Sequence, residues 1–135
     1  KGDAGMLGCV YELKEKGYIV IAATPHETDI ELYDYEPTKK TAFFFGSEQA
    51  GVSPIVLENA DKCMRIPIYG ATESFNVSVS SALILQDMRR KMVKMNPSIW
   101  QLSEEEKNAL RLEWGLRTIR KPSILVRDFF KRKGL

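Results

Sequence analysis

Thr41-Ala42-Phe43-Phe44-Phe45-Gly46-Ser47-Glu48-Gln49-Ala50-Gly51-Val52-Ser53-Pro54 runs from an unbroken apolar stretch, through a turn bounded by glycines, into a helix start. Thr41 to Phe45 is short and apolar at every position but the first, which reads as a strand covered on both faces. Gly46 breaks it. Ser53 suits an N-cap, Pro54 the first helical position, and Ile55-Val56-Leu57 the apolar face. A buried strand, a glycine turn and a helix in succession are the repeating unit of an α/β domain. Upstream, Tyr18-Ile19-Val20-Ile21-Ala22-Ala23 is a second apolar run, ended by Thr24-Pro25-His26 because proline cannot donate to a ladder. Before it, Asp3 caps a helix running to about Lys16, with Glu12 and Lys16 paired at i,i+4 and Gly17 as the stop. Residues 27–41 read as acidic and irregular, punctuated by Pro37. Downstream, a third strand from Lys62 to Ile66 stops at Pro67, and the longest helix runs from Ser74 to about Met95 with Pro97 just beyond. The alternation predicts a parallel sheet flanked by helices.

The remaining residues read as helical. Ser103 with Glu106 forms a capping box, and Ala109, Leu112, Leu116 and Ile119 form one apolar stripe. After Pro122, Ser123 caps a last short helix closed by Gly134. This divides the chain into residues 1–97 and a helical extension, 98–135. With 135 residues, 44% hydrophobic and 28% charged, the composition is that of an ordinary globular protein with a real core. No apolar run approaches the roughly 20 residues that cross a bilayer, and no membrane role is expected. Cys9 and Cys63 lie far apart, and with one His they offer neither a disulfide framework nor a metal site. A reduced, cytoplasmic setting follows. Because the chain opens with Lys1 almost directly in a helix, it reads as lacking its amino-terminal part.

The net charge of +2 conceals a segregation. Residues 1–86 carry 7 Lys/Arg against 12 Asp/Glu, whereas residues 87–135 carry 13 against 6. Basic residues gathered on one surface displace counterions from a polyanion, so the second segment is a candidate nucleic-acid footprint. A solvated helical tail is the competing reading.

Two loops hold the residues able to do chemistry, and both follow the carboxyl ends of predicted parallel strands, where open α/β sheets bind ligands. The first is Gly46 to Ser53, with Glu48 between two glycines; alone, it reads equally as a strand-to-helix turn with a solvated carboxylate. No Gly-Lys-Thr follows, so it is not a phosphate-binding P-loop. The second is Ile66-Pro67-Ile68-Tyr69-Gly70-Ala71-Thr72-Glu73-Ser74-Phe75-Asn76-Val77-Ser78-Val79-Ser80-Ser81-Ala82, where small and polar residues crowd a helix start. Alone, this is also a capping cluster. Thr24 equally ends a strand, His26 reads as a surface residue, and Trp100 and Trp114 read as core packing. Val77, Ile84, Met88, Met92 and Met95 follow helical spacing and read as a buried stripe.

Together, Phe-Phe-Phe-Gly-Ser-Glu-x-x-Gly-Val-Ser and, about 20 residues later, Ile-Pro-x-x-Gly-x-x-Glu-Ser-Phe-Asn-Val-Ser-Val resemble the second and third motifs of the SpoU/TrmH RNA ribose methyltransferases of the SPOUT superfamily. The specific match covers residues 43–82, and the organisation of residues 5–95 follows it. Leu102-Ser103-Glu104-Glu105-Glu106 and Trp114 resemble, less specifically, the carboxy-terminal extension of the tRNA guanosine-18 2′-O-methyltransferases. The resemblance implies a trefoil-knotted α/β fold that binds S-adenosylmethionine in its knot loops, acts on RNA, most simply tRNA, and forms a homodimer through the helix after Ser74. By motif position, cofactor contacts fall on Thr24, Gly46, Ile66 and Phe75, and polar active-site roles on Glu48, Ser74 and Asn76. The family usually has Leu at the position of Phe75. Transfer from a sulfonium to a ribose hydroxyl requires no metal, but the hydroxyl must be aligned and lose its proton. The family's usual activating arginine lies in a first motif that no residues here match. An rRNA methyltransferase and a non-catalytic RNA-binding or dimerisation module are the other readings.

Overall fold

The structure is a computed structural model that describes residues 2–26 and 28–134, with side chains from Ala4 onward. The capping role expected of Asp3 therefore lies outside the described residues. The chain divides into two compact units, residues 1–95 and 96–135.

The first unit is a four-stranded parallel sheet with helices on both faces. Its elements are α1 (Gly2–Glu15), β1 (Ile19–Ala23), β2 (Ile30–Glu31), a 3-10 turn (Leu32–Asp34), β3 (Thr41–Phe45), α2 (Pro54–Asn59), β4 (Lys62–Arg65) and α3 (Val77–Met92). Strand order is β2-β4-β1-β3, so β1 is paired on both sides. Period-2 alternation sorts its side chains. Ile21 packs with Met64, Ile84 and Met88 on one face, where α3 lies. Val20 and Ala22 pack with Val10 and Val56 of α1 and α2 on the other.

Three sequence expectations need correction. The segment between β1 and β3 is not irregular: it contains β2, in register with β4 through Ile30↔Met64 and Glu31↔Arg65. A two-residue strand has no periodicity to read; Asp29 places it, because Asp29 Oδ2 accepts from the Cys63 amide at 2.7 Å while its own amide donates to the Cys63 carbonyl at 3.0 Å. β3 is half-buried along its length rather than fully covered, because it pairs with β1 alone. The long helix starts at Val77, not Ser74; Asn76 is its N-cap and accepts from the Ser78 amide at 2.8 Å. Along it, Ile84 and Met88 are buried and Val77, Met92 and Met95 half-buried.

α3 is tied down by an ion pair that no motif announced. The Lys91 ammonium donates to the carbonyls of Leu32, Tyr33 and Tyr35 at 3.0, 3.0 and 2.7 Å and meets Asp87 Oδ2 at 2.7 Å. Both side chains are 7% exposed. A buried ammonium persists only with its donors engaged, and here two carbonyls of the 3-10 turn and that of Tyr35 just after it, together with Asp87, engage them. Burial pushes the Asp87 carboxyl up, but hydrogen bonds from Lys91 and Arg90 outweigh it and hold it below the usual carboxylate range. Burial likewise pushes the Asp61 carboxyl up, and bonds from Lys14 and the Val20 amide outweigh that push and lower it. Asp61 thereby joins α1 to the start of β1.

The second unit holds α4 (Pro97–Trp100), α5 (Glu104–Thr118) and α6 (Pro122–Lys133). The Ser103–Glu106 capping box forms in both directions. The cap of α6 is Lys121, with φ of 58°, not Ser123; Pro122 takes the first helical position and leaves Ser123 inside the helix. No residue of α5 is buried, and Trp114 is 61% exposed, against the expectation that this indole packs in a core. Trp100 is half-buried.

Lys91→Ala leaves Asp87 with Arg90 as its one cationic partner among the described residues and takes the ammonium from three carbonyls, and we expect a loss of about 3 kcal/mol in urea unfolding. The folded pKa values of Asp87 and Asp61 are depressed, so their stabilisation is complete above the unfolded Asp value of about 3.9 and is lost as pH falls through the folded values. Unfolding midpoints across acidic pH check this: Asp87→Asn flattens the acid limb relative to the unaltered chain.

Candidate active site

β1, β3 and β4 run in the same direction and end together: Ala23 lies opposite both Phe45 and Met64. The first residues past those ends are Thr24, Gly46 and, one step further on, Ile66. Their loops enclose a cavity of about 750 Å³, of a size that takes a nucleoside-sized ligand. Thr24, Gly46, Glu48, Ile66, Ser74, Phe75 and Asn76, the seven residues nominated from the sequence, all line it.

Each loop is held by its own backbone. Thr24 is buried; its amide donates to the Met64 carbonyl at 3.0 Å, and its Oγ1 accepts from the His26 amide at 3.3 Å. Ser47 and Gly51 form a two-way bridge, Ser47 N to Gly51 O at 3.1 Å and Gly51 N to Ser47 O at 2.9 Å, while Ser47 Oγ accepts from the Ala50 amide at 3.1 Å. This bridge folds the loop so tightly that a Cβ on Gly46 would sit 1.8 Å from the Gly51 carbonyl carbon and 2.1 Å from the Val52 nitrogen. Gly51 itself has φ of +66°, the left-handed region. The Ser53 hydroxyl sits at the N-cap of α2 without bonding the helix; it faces the Met6 sulfur at 3.6 Å instead.

The third loop enters α3 through Asn76. Capping commits its Oδ1 to the Ser78 amide, which turns Nδ2 outward, where it donates to Glu48 Oε1. Two residues 28 positions apart are thus joined across the cavity mouth. Phe75 packs half-buried against the α3-side core, while Glu48, Ser74 and Asn76 are exposed. The structure also brings in residues the motifs did not nominate. Ile68, Val52 and Leu57 supply apolar wall, and His26, read as a surface residue, is exposed yet lines the cavity. Position after a strand end was the signal available for His26. Among the described residues, no group of His, Cys, Asp and Glu is placed to hold a metal ion, and no helix is long and apolar enough to cross a membrane.

Gly46→Ala and Gly51→Ala should separate two kinds of glycine. The first drives a methyl into backbone and should cost about 3 kcal/mol; the second adds only left-handed strain, about 1–2 kcal/mol. Urea midpoints give the order, and hydrogen exchange at the Ser47 and Gly51 amides should rise more for Gly46→Ala.

Residues 6–86 match the family model described as the SpoU rRNA Methylase family. The chain is 36% identical over 102 residues to the tRNA (guanosine(18)-2′-O)-methyltransferase of Borreliella burgdorferi, covering 76% of this chain and 46% of that protein. To the enzyme of the same name from Escherichia coli it is 31% identical over 139 residues, 99% of this chain and 55% of the other. Among solved structures, the A. aeolicus TrmH/SpoU tRNA modifying enzyme superposes with a TM-score of 0.73 at 33% identity, over 85% of this chain and 59% of that one. The chain spans about half the length of these curated relatives. Two motifs folded onto one cavity, and a family match across the sheet that builds it, lead to one conclusion: the chain belongs to the SpoU rRNA Methylase family.

Proposed function

We propose that this chain is the cofactor-binding part of an S-adenosylmethionine-dependent RNA 2′-O-ribose methyltransferase acting on tRNA, in line with the guanosine-18 enzymes it resembles. The observation that carries the reading is the Asn76–Glu48 hydrogen bond at the mouth of a cavity lined by both motifs. The cavity fits the cofactor: it is large enough, has both apolar and polar walls, and is closed by a loop whose backbone approaches itself where only Gly46 fits. Thr24, Gly46, Ile66 and Phe75 would hold S-adenosylmethionine, largely through main chain, which tolerates Phe75 in place of Leu. When bound, that group supplies a methyl already activated on a sulfonium, so no metal is invoked. Glu48, Ser74 and Asn76 orient the ribose hydroxyl at the mouth, and the Asn76 amide holds the Glu48 carboxylate in place for that work. None of the three is assigned removal of the hydroxyl proton.

Residues 1–97 form the catalytic part and residues 98–135 the helical extension. The working form is a cytoplasmic homodimer. Val79 and Leu85 on α3 and Val93 at its C-cap lie exposed, turned away from the buried Ile84 and Met88, on the side a second copy would cover. Arg120, Lys121, Arg127, Lys131, Arg132 and Lys133 crowd the segment from Thr118 onward, with Asp128 as its only acid, and track an RNA backbone.

Titration calorimetry should detect S-adenosylmethionine binding to the chain, and labelled methyl should pass to tRNA in its full-length form. Asn76→Asp keeps the helix cap but sets a carboxylate against Glu48; circular dichroism should stay unchanged while transfer falls at least tenfold, the order of effect that misplacing a catalytic group produces. Unchanged transfer would remove Asn76 from the site.

Replacing Lys131, Arg132 and Lys133 by Ala should weaken tRNA binding and leave cofactor affinity intact. Each phosphate that is no longer neutralised flattens the log affinity–log salt slope by roughly 0.7–0.9. An unchanged slope would return these charges to bulk solvent.

A further inference from the structure

Among the described residues, His26, Glu48 and Glu73 are the side chains in the wall of the first cavity that carry a charge or can take one. Glu48 is joined to Asn76 at the mouth. The His26 imidazole and the Glu73 carboxylate are exposed and make no hydrogen bond or ion pair among the described residues. Their backbone is nonetheless fixed. The His26 amide donates to Oγ1 of the buried Thr24, whose own amide is held by the Met64 carbonyl. Glu73 lies just before Asn76, the cap of α3. Pro25, the residue before His26, and Glu73 also line a smaller cavity of about 360 Å³, so both stand where the two cavities meet. One hydrogen-bond donor and one acceptor are thus left over at that lip.

We propose that His26 and Glu73 hold the amino-acid end of S-adenosylmethionine, His26 by its carboxylate and Glu73 by its ammonium. The proposal rests on the methyl-transfer reading above and adds the residues that read the charged end of the cofactor. Neither is among the cofactor contacts that the motifs assign. The rest of the wall sorts the molecule. Val52, Leu57, Met64, Ile66, Ile68 and Phe75 offer apolar surface, which suits the adenosyl group and not a zwitterion, because burying an unpaired charge is costly. Transfer requires the sulfonium at the mouth, beside Glu48 and Asn76, where the ribose hydroxyl is oriented. The aminocarboxylate hangs from the sulfonium on a short chain, and it needs a donor and an acceptor outside the apolar wall. A neutral imidazole donates one N–H and a protonated one donates two, so His26 serves the carboxylate in either form. The Glu73 carboxylate only accepts, and it takes the protons of the ammonium. Arg65, the cation in the wall of the smaller cavity, is already paired with Glu31.

Titration calorimetry with S-adenosylmethionine, its decarboxylated form and methylthioadenosine tests this on the unaltered chain and on two variants. The decarboxylated form keeps the ammonium and loses the carboxylate, and methylthioadenosine lacks the whole amino-acid end. The unaltered chain should bind S-adenosylmethionine about tenfold more tightly than the decarboxylated form, the contribution of one hydrogen bond to a charged group. His26→Ala should abolish that difference and leave the affinities for the other two compounds as they were. Glu73→Gln should weaken S-adenosylmethionine and its decarboxylated form by about tenfold each and spare methylthioadenosine. Unchanged methylthioadenosine affinity shows that a variant keeps its adenosyl pocket; a variant that weakens all three compounds alike has lost the loop instead, and its residue has no part in reading the amino-acid end. A preference for S-adenosylmethionine that survives His26→Ala overturns the role of His26, and full affinity for the decarboxylated form in Glu73→Gln overturns that of Glu73. The readout needs neither RNA nor methyl transfer, so the two readings fail separately. Binding of all three compounds without regard to the amino-acid end defeats this proposal alone, and binding of none defeats the cofactor reading on which it rests.

Discussion

Ala23 pairs with Phe45 on one side and Met64 on the other, and that double pairing brings the loops of the site to one edge of the sheet. In a parallel sheet, strands that run together also end together, so the loops leaving them converge without any contact designed among the loops themselves. β1 can be the shared neighbour because its residues are apolar on both faces. Ile21 serves the core under α3, while Val20 and Ala22 serve the core under α1 and α2. A polar residue at any of these positions would leave a buried group without a partner and disturb both cores at once.

Convergence alone leaves three loops near one another; two further devices give the cavity a defined wall. The loop after β3 is closed by the Ser47–Gly51 bridge, which works only because Gly46 has no side chain to collide with Gly51. The loop after β4 is fixed by the capping of α3, since satisfying the Ser78 amide decides which way the Asn76 amide points. Capping, a local backbone requirement, and the bond to Glu48, a contact across the cavity, are therefore met by the two ends of one side chain.

The anchoring of α3 lies at its other end. Lys91 and Asp87 are buried at the carboxy-terminal half of the helix, far along it from Asn76, and Lys91 binds the turn that follows β2. The same turn is continuous with Glu31, which holds Arg65. The turn that the buried ammonium holds is therefore the one that follows Glu31, the partner of Arg65 on β4.

The sequence by itself determined the alternation of strand and helix, the two motif loops and seven of the residues that line the first cavity. These were legible because apolar runs, proline stops and glycine breaks are local signals, and because the motif match transfers residue by residue. Only the tertiary structure decided the rest. β2 is two residues long, and pairing with β4, steadied by the bonds between Asp29 and Cys63, makes it a strand, not any pattern of its own. Lys91 and Asp87 look like the solvated i,i+4 pair of any helix until packing removes the water around them. α3 starts at Val77 because Asn76, one of several eligible residues, caps it. The stripe on α5, regular in spacing, has no buried residue, because periodicity states which side of a helix could be covered and not whether anything covers it.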